Sequence, residues 1–285
     1  MHPRNRYRDG HDFGALAGYE PDLRAHLIRT PDGRTSLNFS DPAAVRLLNR
    51  TLLRKDYGLR HWDLPAGHLL PPIPGRLDYV HVLADLIGGA TGAEVHGLDI
   101  GTGAGLVYPI LGFREYGWRM SGTDIDEESL RVAAAILKFN PSLRRGIGQP
   151  RQQPLTTQLF RDVIRPGERF DFTLCNPPFY ASAEEAAAAT RRKWAQLTGR
   201  ADATRNFGGR PNELWTPGGE AAFLRRMIAE SVDFREQVGW FTTLVSQRGY
   251  LKAAGAQLEQ VGARGVRMLP LSQGKKVRRV LAWRY

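Results

Sequence analysis

A chain of 285 residues holds one large domain or two small ones, and its 42% hydrophobic and 24% charged residues are ordinary for a soluble globular protein. No apolar stretch approaches the roughly 20 residues of a membrane helix, Met1–Arg6 lacks the apolar core of a secretory signal, and the lone Cys175 excludes an internal disulfide and gives a cysteine-based metal site no basis. The expected setting is reducing and cytoplasmic, without membrane or metal, and the net charge of +11 directs attention to polyanionic partners.

Residues 1 to about 75 are rich in Arg, Pro, Gly and His. They end in Leu70-Pro71-Pro72-Ile73-Pro74-Gly75, which breaks any helix or central strand and reads as a boundary or an extended connector. Within them Ser40-Asp41-Pro42 starts a helix through Leu53, a cap residue followed by proline in the first turn. From Arg76 onward helical and strand patterns alternate. Val80, Leu83, Ala84 and Ile87 share a helical face, and an apolar run to Ile100 leads into a glycine-rich turn and a helix through Glu115. Trp118–Thr123 reads as a strand. Asp126 caps a helix with Leu130, Ala133, Ala134 and Leu137 on one face, ended by Asn140-Pro141. Phe170–Cys175 is a strand closed abruptly by Asn176-Pro177-Pro178, and a segment without clear periodicity follows at about 180–219. Phe223–Val232 then reads as helix, Val238–Val245 as strand, Leu251–Val261 as helix, and Gly265–Leu271 and Val277–Trp283 as strands. The alternation predicts an α/β fold with a doubly wound, mostly parallel sheet, and the two consecutive final strands predict an antiparallel finish.

The first chemical motif is Leu98-Asp99-Ile100-Gly101-Thr102-Gly103-Ala104-Gly105, placed between a strand and a helix. Glycines such as Gly101 and Gly103 let the backbone turn sharply and approach a ligand closely. Alone the pattern also suits a dinucleotide fold or a plain structural turn. Two acids favour S-adenosylmethionine (SAM): Asp99, where a carboxylate receives charge-assisted hydrogen bonds from an ammonium group, and Asp124 at the end of the next strand, placed to accept ribose hydroxyls.

Leu174-Cys175-Asn176-Pro177-Pro178-Phe179 is the most specific feature. A Pro-Pro step at a strand end makes a rigid platform. The Asn176 side-chain carbonyl and the Pro177 backbone carbonyl can together accept both hydrogens of a planar amine, orienting its lone pair toward a methyl donor. Phe179 offers a stacking face for an extruded base. No base of unusual pKa is required, because the proton can leave after methyl transfer. A simple turn would use the same residues, but the order and spacing of the two motifs favour methyl transfer.

Together the motifs resemble the amino-methyltransferases of the Rossmann-like SAM-dependent superfamily. His2-Pro3-Arg4-Asn5-Arg6-Tyr7, Leu37-Asn38-Phe39, Pro71 to His81, Tyr116-Gly117-Trp118, Leu174 to Phe179, Asn206-Phe207-Gly208-Gly209, Glu213-Leu214-Trp215 and Gly218-Gly219-Glu220 are similar to the bacterial large-subunit ribosomal RNA adenine-N6 methyltransferases. The resemblance runs from His2 to Trp283 and extends to the eukaryotic U6 small nuclear RNA methyltransferases. It implies SAM-dependent methylation of an adenine N6 amine in 23S ribosomal RNA, free or in a large-subunit assembly intermediate, by an enzyme expected to be a monomer.

Carried over by residue, the resemblance implies that Arg76 meets the SAM carboxylate, Asp99 and Gly101 the methionine moiety, and Asp124 the ribose, with Asn176 and Phe179 on the target adenine. The cofactor's adenine is expected on Gly148–Thr157, with no residue assigned. Arg4, Arg6 and Arg8 are read as an RNA-contacting arm within an N-terminal extension of residues 1–75, with a solvated tail as the plainer alternative. Residues 76–285 are read as the methyltransferase domain. After Glu259 the chain carries Arg264, Arg267, Lys275, Lys276, Arg278, Arg279 and Arg284 and no acid, the clustering of a nucleic-acid footprint. Lys275 and Lys276 are read as RNA contacts, and the segment at about 180–219 as a mobile lid over the substrate. A protein glutamine methyltransferase, a catalytically idle RNA-binding protein and a DNA adenine methyltransferase are the competing readings.

Overall fold

A computed structural model describes residues 1–198, 209–273 and 276–285. The N-terminal region folds as α1 (Phe13–Tyr19), a hairpin of β1 (Leu27–Arg29) and β2 (Thr35–Leu37), and α2 (Pro42–Tyr57). Asp41 caps α2 through the Ala43 amide, and Gly58 ends it in the left-handed conformation. Then come α3 (Ile73–Leu86), β3 (His96–Ile100), α4 (Val107–Tyr116), β4 (Arg119–Asp124), α5 (Glu127–Phe139), β5 (Arg151–Gln152) and β6 (Phe170–Cys175). The chain continues through α6 (Ala183–Thr198), α7 (Pro211–Leu214), α8 (Gly219–Ser231), β7 (Val238–Val245), α9 (Gly249–Gln260), β8 (Arg267–Gln273) and β9 (Lys276–Trp283).

The main sheet runs β5-β4-β3-β6-β7-β9-β8. Its first five strands are parallel, and β9 is antiparallel to both β7 and β8. This is the expected doubly wound sheet with an antiparallel finish. Strand order reverses at β3, with β4 and β5 on one side and β6 on the other. The crevice above the β3–β6 pair is therefore the topological switch point where such sheets bind ligands. Ile100 pairs with Cys175 and Thr123 at the strand ends, which brings Gly101, Asp124 and Asn176 to one edge.

Residues 1–75 differ from the rest in sequence texture but share its core. Tyr7, Phe13, Leu23, Leu37, Leu48, Leu52 and Trp62 pack in one apolar cluster with Leu77, Val80 and Leu83 of α3 and with Ile110 and Leu111 of α4. The proline-rich segment forms the first turn of α3, since Pro74 falls where a missing N–H costs nothing. A second cluster on Phe160, Met227, Ile228, Phe241 and Trp283 joins α8 and α9 to the sheet.

The segment at about 180–219, expected as a loop, is helical in its described first part, α6. The Ser182 hydroxyl accepts from the Glu185 amide at 3.2 Å, the Glu185 carboxylate accepts from the Ala181 amide at 2.7 Å, and an alanine run continues the helix. Residues 199–208, with Asn206, Phe207 and Gly208, lie outside the described residues, as does Lys275. Among the described residues no helix is long and apolar enough to cross a membrane.

Candidate active site

A cavity of about 460 Å³ opens at the switch point. Its wall carries Arg76, Gly101, Thr102, Gly103, Asp124 and Asn176, so residues scattered over a hundred positions meet there. The glycine turn is stitched to β4: the Gly101 and Thr102 amides both donate to the Thr123 carbonyl, at 2.9 and 2.8 Å. Gly101 and Gly103 have φ of 73° and 62°, the left-handed region that favours glycine. Trp62 of the N-terminal region closes the turn from outside by donating Nε1–H to the Gly105 carbonyl at 2.8 Å.

Asp124 accepts the Gly103 amide on Oδ2 at 2.8 Å and the Asp126 amide on Oδ1 at 2.9 Å. Burial nevertheless lifts its carboxyl to about 6, the two backbone donors pulling the other way. Each oxygen keeps a second lone pair for a ligand hydroxyl. Asp99, next to the lining residue Ile100, is 1% exposed, and neither of its oxygens has a hydrogen-bond partner in good geometry among the described residues. Burial lifts its carboxyl to about 7, the neighbouring Thr102 hydroxyl and Arg76 guanidinium pulling the other way. An unpaired buried carboxylate is costly, and a cationic ligand group in the cavity would relieve it.

Arg76 is 7% exposed. Its Nη1 donates to Asn176 Oδ1 at 2.7 Å and to the Tyr108 hydroxyl at 2.9 Å. The first turn of α3 that carries it is pinned by Asn5, whose Nδ2 donates to the Pro74 carbonyl at 2.8 Å and to Asp78 Oδ1 at 2.6 Å. Because a guanidinium can only donate, the contact orients the Asn176 amide with its oxygen toward Arg76. Cys175 precedes it fully buried, its thiol pushed well above the usual range by burial, which leaves it inert.

The expected platform is only partly gathered at the cavity. Asn176 and Pro178 face it, Pro177 is buried, and Phe179 does not line it. The Phe179 ring instead lies beneath the Arg278 guanidinium, 5.7 Å from the ring centroid. The Phe179 and Tyr180 amides both donate to the Leu214 carbonyl, at 3.1 and 3.0 Å, so α7 fixes the chain after the Pro-Pro step.

Arg4 and Arg6, expected on RNA, hold carboxylates of the fold. Arg4 pairs with Asp85 at 2.7 Å and donates to the His81 carbonyl and the Tyr116 hydroxyl, both at 3.1 Å. Arg6 pairs with Glu115 at 2.8 Å and lies over the Tyr57 ring. The intervening Asn5 and Tyr7 are buried, so the segment is a docked strap rather than a solvated tail. Arg8 is exposed and forms an ion pair with Asp9 at 3.6 Å. Lys276 opens β9 at the β8–β9 turn, past the C-terminal end of β7.

Several cavity residues were not singled out from sequence. Gln153, Thr156 and Gln158 line it, and the buried Gln158 Oε1 is unpartnered among the described residues. These three fall in or just beyond the stretch expected to meet a cofactor's adenine, but no periodicity marks which side chains turn inward. Pro211, Asn212, Glu213 and Trp215 close another side. Glu213 Oε2 accepts the Leu69 amide at 3.0 Å and the Arg210 amide at 2.7 Å, which joins α7 to the N-terminal region.

Comparison with known proteins agrees with this architecture. The chain matches a family described as RNA methyltransferase over residues 1–285. The ribosomal RNA large subunit methyltransferase F of Pseudomonas aeruginosa is 49% identical over 296 residues, covering 100% of this chain and 88% of the relative. That of Pseudomonas putida is 45% identical over 299 residues, covering 100% and 92%. Among solved structures, the catalytic domain of human METTL16 in complex with a MAT2A 3′UTR hairpin superposes with a TM-score of 0.84 at 34% identity, covering 100% of this chain and 95% of that one. The N-terminal domain of human METTL16 in complex with SAH gives 0.79 at 32% identity, covering 100% and 98%. The fold is that of a SAM-dependent methyltransferase, and the chain belongs to the RNA methyltransferase family.

Proposed function

We propose that this enzyme transfers a methyl group from SAM to the N6 amine of an adenine in 23S ribosomal RNA. The observation that carries the reading is that Arg76, Asp124 and Asn176 wall one cavity, and that the adjacent Asp99, beside the lining Ile100, keeps a buried carboxyl with no hydrogen-bond partner in good geometry among the described residues. The ribosomal substrate of the relatives and the SAH of the METTL16 structure supply the substrate and cofactor class. When bound, SAM supplies an electrophilic methyl group. The chain's residues fit such a group: carboxylates for its ammonium and hydroxyls, a guanidinium for its carboxylate, and the unsatisfied Gln158 amide for its adenine.

Asn176 presents one carbonyl oxygen with two lone pairs, of which Arg76 takes one. The other, together with the Pro177 carbonyl, accepts the hydrogens of the target amine and turns its lone pair toward the cavity. Phe179 stacks the extruded base, with Arg278 beside it. The surplus proton leaves to water after transfer, so no side chain has to act as a strong base. The reading carries with it a cytoplasmic, monomeric enzyme acting on free ribosomal RNA or an assembly intermediate, with Arg8, Lys275 and Lys276 among its RNA contacts.

Single-turnover methylation of a 23S ribosomal RNA fragment, followed by mass spectrometry of the digested nucleosides, tests this. Asn176→Ala should slow the chemical step by on the order of 100-fold with SAM affinity retained, because the interaction matters most as the amine pyramidalises. A near-wild-type rate in that variant would remove the Asn-Pro-Pro-Phe platform from the mechanism. Methyl transfer to a protein glutamine and not to RNA would favour the glutamine methyltransferase reading.

A further inference from the structure

The end of the sheet opposite the active-site cavity is ringed by arginines. The parallel strands begin there at His96, Arg119, Phe170 and Val238, and β9 ends there at Trp283. A recess of about 970 Å³ between these ends is lined by Arg119, Arg169, Arg235, Arg264 and Arg284, against Glu94, Asp171 and Glu236. All five arginines are exposed, as is the neighbouring Arg267. Only Arg235 has a carboxylate within reach, Glu236 at 3.9 Å; Arg119, Arg169, Arg264, Arg267 and Arg284 form no ion pair among the described residues.

Two of these side chains are organised by an aromatic ring. Trp240 on β7 is 7% exposed, and its indole carries the Arg284 guanidinium at 4.8 Å and the Arg267 guanidinium at 5.1 Å from the ring centroid. Arg264 is tied beside them, its amide donating to the Arg284 carbonyl at 2.8 Å. Stacking on one ring holds two like charges together, neither in an ion pair among the described residues, an arrangement that polyanion binding would stabilise. Guanidinium groups pre-ordered in this way lose little entropy on meeting phosphate oxygens and present paired donors to them.

Resting on the RNA-methyltransferase reading above, we propose that this rim is a second RNA-binding surface, remote from the catalytic cavity, which holds the phosphodiester backbone of ribosomal RNA flanking the target adenine. The two ends of the sheet are separated by the length of β6, about 20 Å for its 6 residues. The rim therefore engages only a substrate that extends well past the extruded base. It distinguishes long structured RNA from a minimal stem-loop, and it acts on affinity rather than on the chemical step.

The test compares the wild-type chain with R264E/R267E/R284E, and with R119E/R169E, which leaves the Trp240 stack intact. Each is assayed on a minimal target stem-loop and on a long 23S fragment containing it. For the long fragment KM should rise about tenfold, and the slope of log affinity against log salt should fall by about two to three, one for each phosphate that the variant no longer neutralises. The kcat and the stem-loop KM should stay at wild-type values in both variants. Unchanged KM and salt slope on the long fragment would overturn the proposal. An effect seen only on protein-containing subunit particles would overturn it in favour of a ribosomal protein partner. Failure of the wild-type chain to methylate either RNA would instead overturn the functional reading on which the rim depends.

Discussion

Replacing Asp99 by Asn should make the protein more stable and less able to bind SAM, with a pH signature that separates the two effects. Asp99 is 1% exposed and without a well-formed hydrogen bond among the described residues, and burial lifts its carboxyl from 3.8 to about 7 against the pull of the nearby Thr102 hydroxyl. Between those values the folded chain keeps a proton that the unfolded chain has released, so stability falls as pH rises through the window. The penalty is absent below about pH 4, grows by about 1.4 kcal/mol per pH unit, and is complete above about pH 7, at on the order of 4 kcal/mol. Asn carries no charge to desolvate. The Asp99→Asn gain should therefore be on the order of 2–4 kcal/mol at pH 8, smaller by about 60% at pH 5, and near zero at pH 4, read from urea melts. Cofactor binding should move the other way. Loss of a charge-assisted interaction with an ammonium group costs about 1.5–3 kcal/mol, or about 10- to 150-fold in Kd by calorimetry. In the wild type, SAM affinity should weaken about tenfold between pH 8 and pH 6 as Asp99 takes up its proton. An Asn variant no more stable than wild type at pH 8, or one binding SAM within about twofold of it, would refute the role assigned to the unpartnered carboxylate.

Gln158→Leu should weaken SAM binding by about 3- to 10-fold while leaving single-turnover chemistry at saturating SAM unchanged, because its free Oε1 is matched to an amine remote from the methyl group; equal calorimetric affinity would remove it from the site. Tyr7→Ala deletes a ring 5% exposed and its hydroxyl's bond to Asp56 at 3.0 Å, and should cost about 3 kcal/mol in denaturant melts, whereas exposed Arg8→Glu should leave the melt unchanged and lower RNA affinity. Equal melts for Tyr7→Ala and wild type would show that the N-terminal strap is not part of the fold.

The legible parts of the fold were those whose signal is local. Phe170–Cys175 and Val238–Val245 appear with the expected bounds, and Asp126 caps α5 through the Ser129 amide as its position suggested. The missed elements draw on partners distant in sequence. β5 has only two residues and exists because Arg151 and Gln152 pair with Thr123 and Asp124. The strands of the β1–β2 hairpin have three residues each, and their pairing carries Leu37 into a core that begins with Tyr7. α6 had a readable start in Ser182 and Glu185, outweighed by the polar and glycine-rich residues that follow.

The site divides in the same way. Asp99, Gly101, Asp124 and Asn176 announce themselves because their backbone positions at strand ends follow from the motifs. What those motifs do not carry is the support behind each group. Arg76 reaches Asn176 from a turn that Asn5, seventy-odd positions upstream in the chain, holds in place. Trp62 seals the glycine turn and Leu69 anchors Glu213, so the N-terminal region forms one wall of the cavity it precedes in sequence. The change of composition at residue 75 is thus a boundary of texture and not of packing. It follows that truncating the first 75 residues cannot isolate a role in RNA binding. Such a cut would expose the core faces of α3 and α4 and release Arg76, disturbing cofactor and acceptor together. Substitution at exposed positions such as Arg8 probes RNA contact without that confusion, since it leaves Asn5, Tyr7 and the contacts of Arg4 and Arg6 in place.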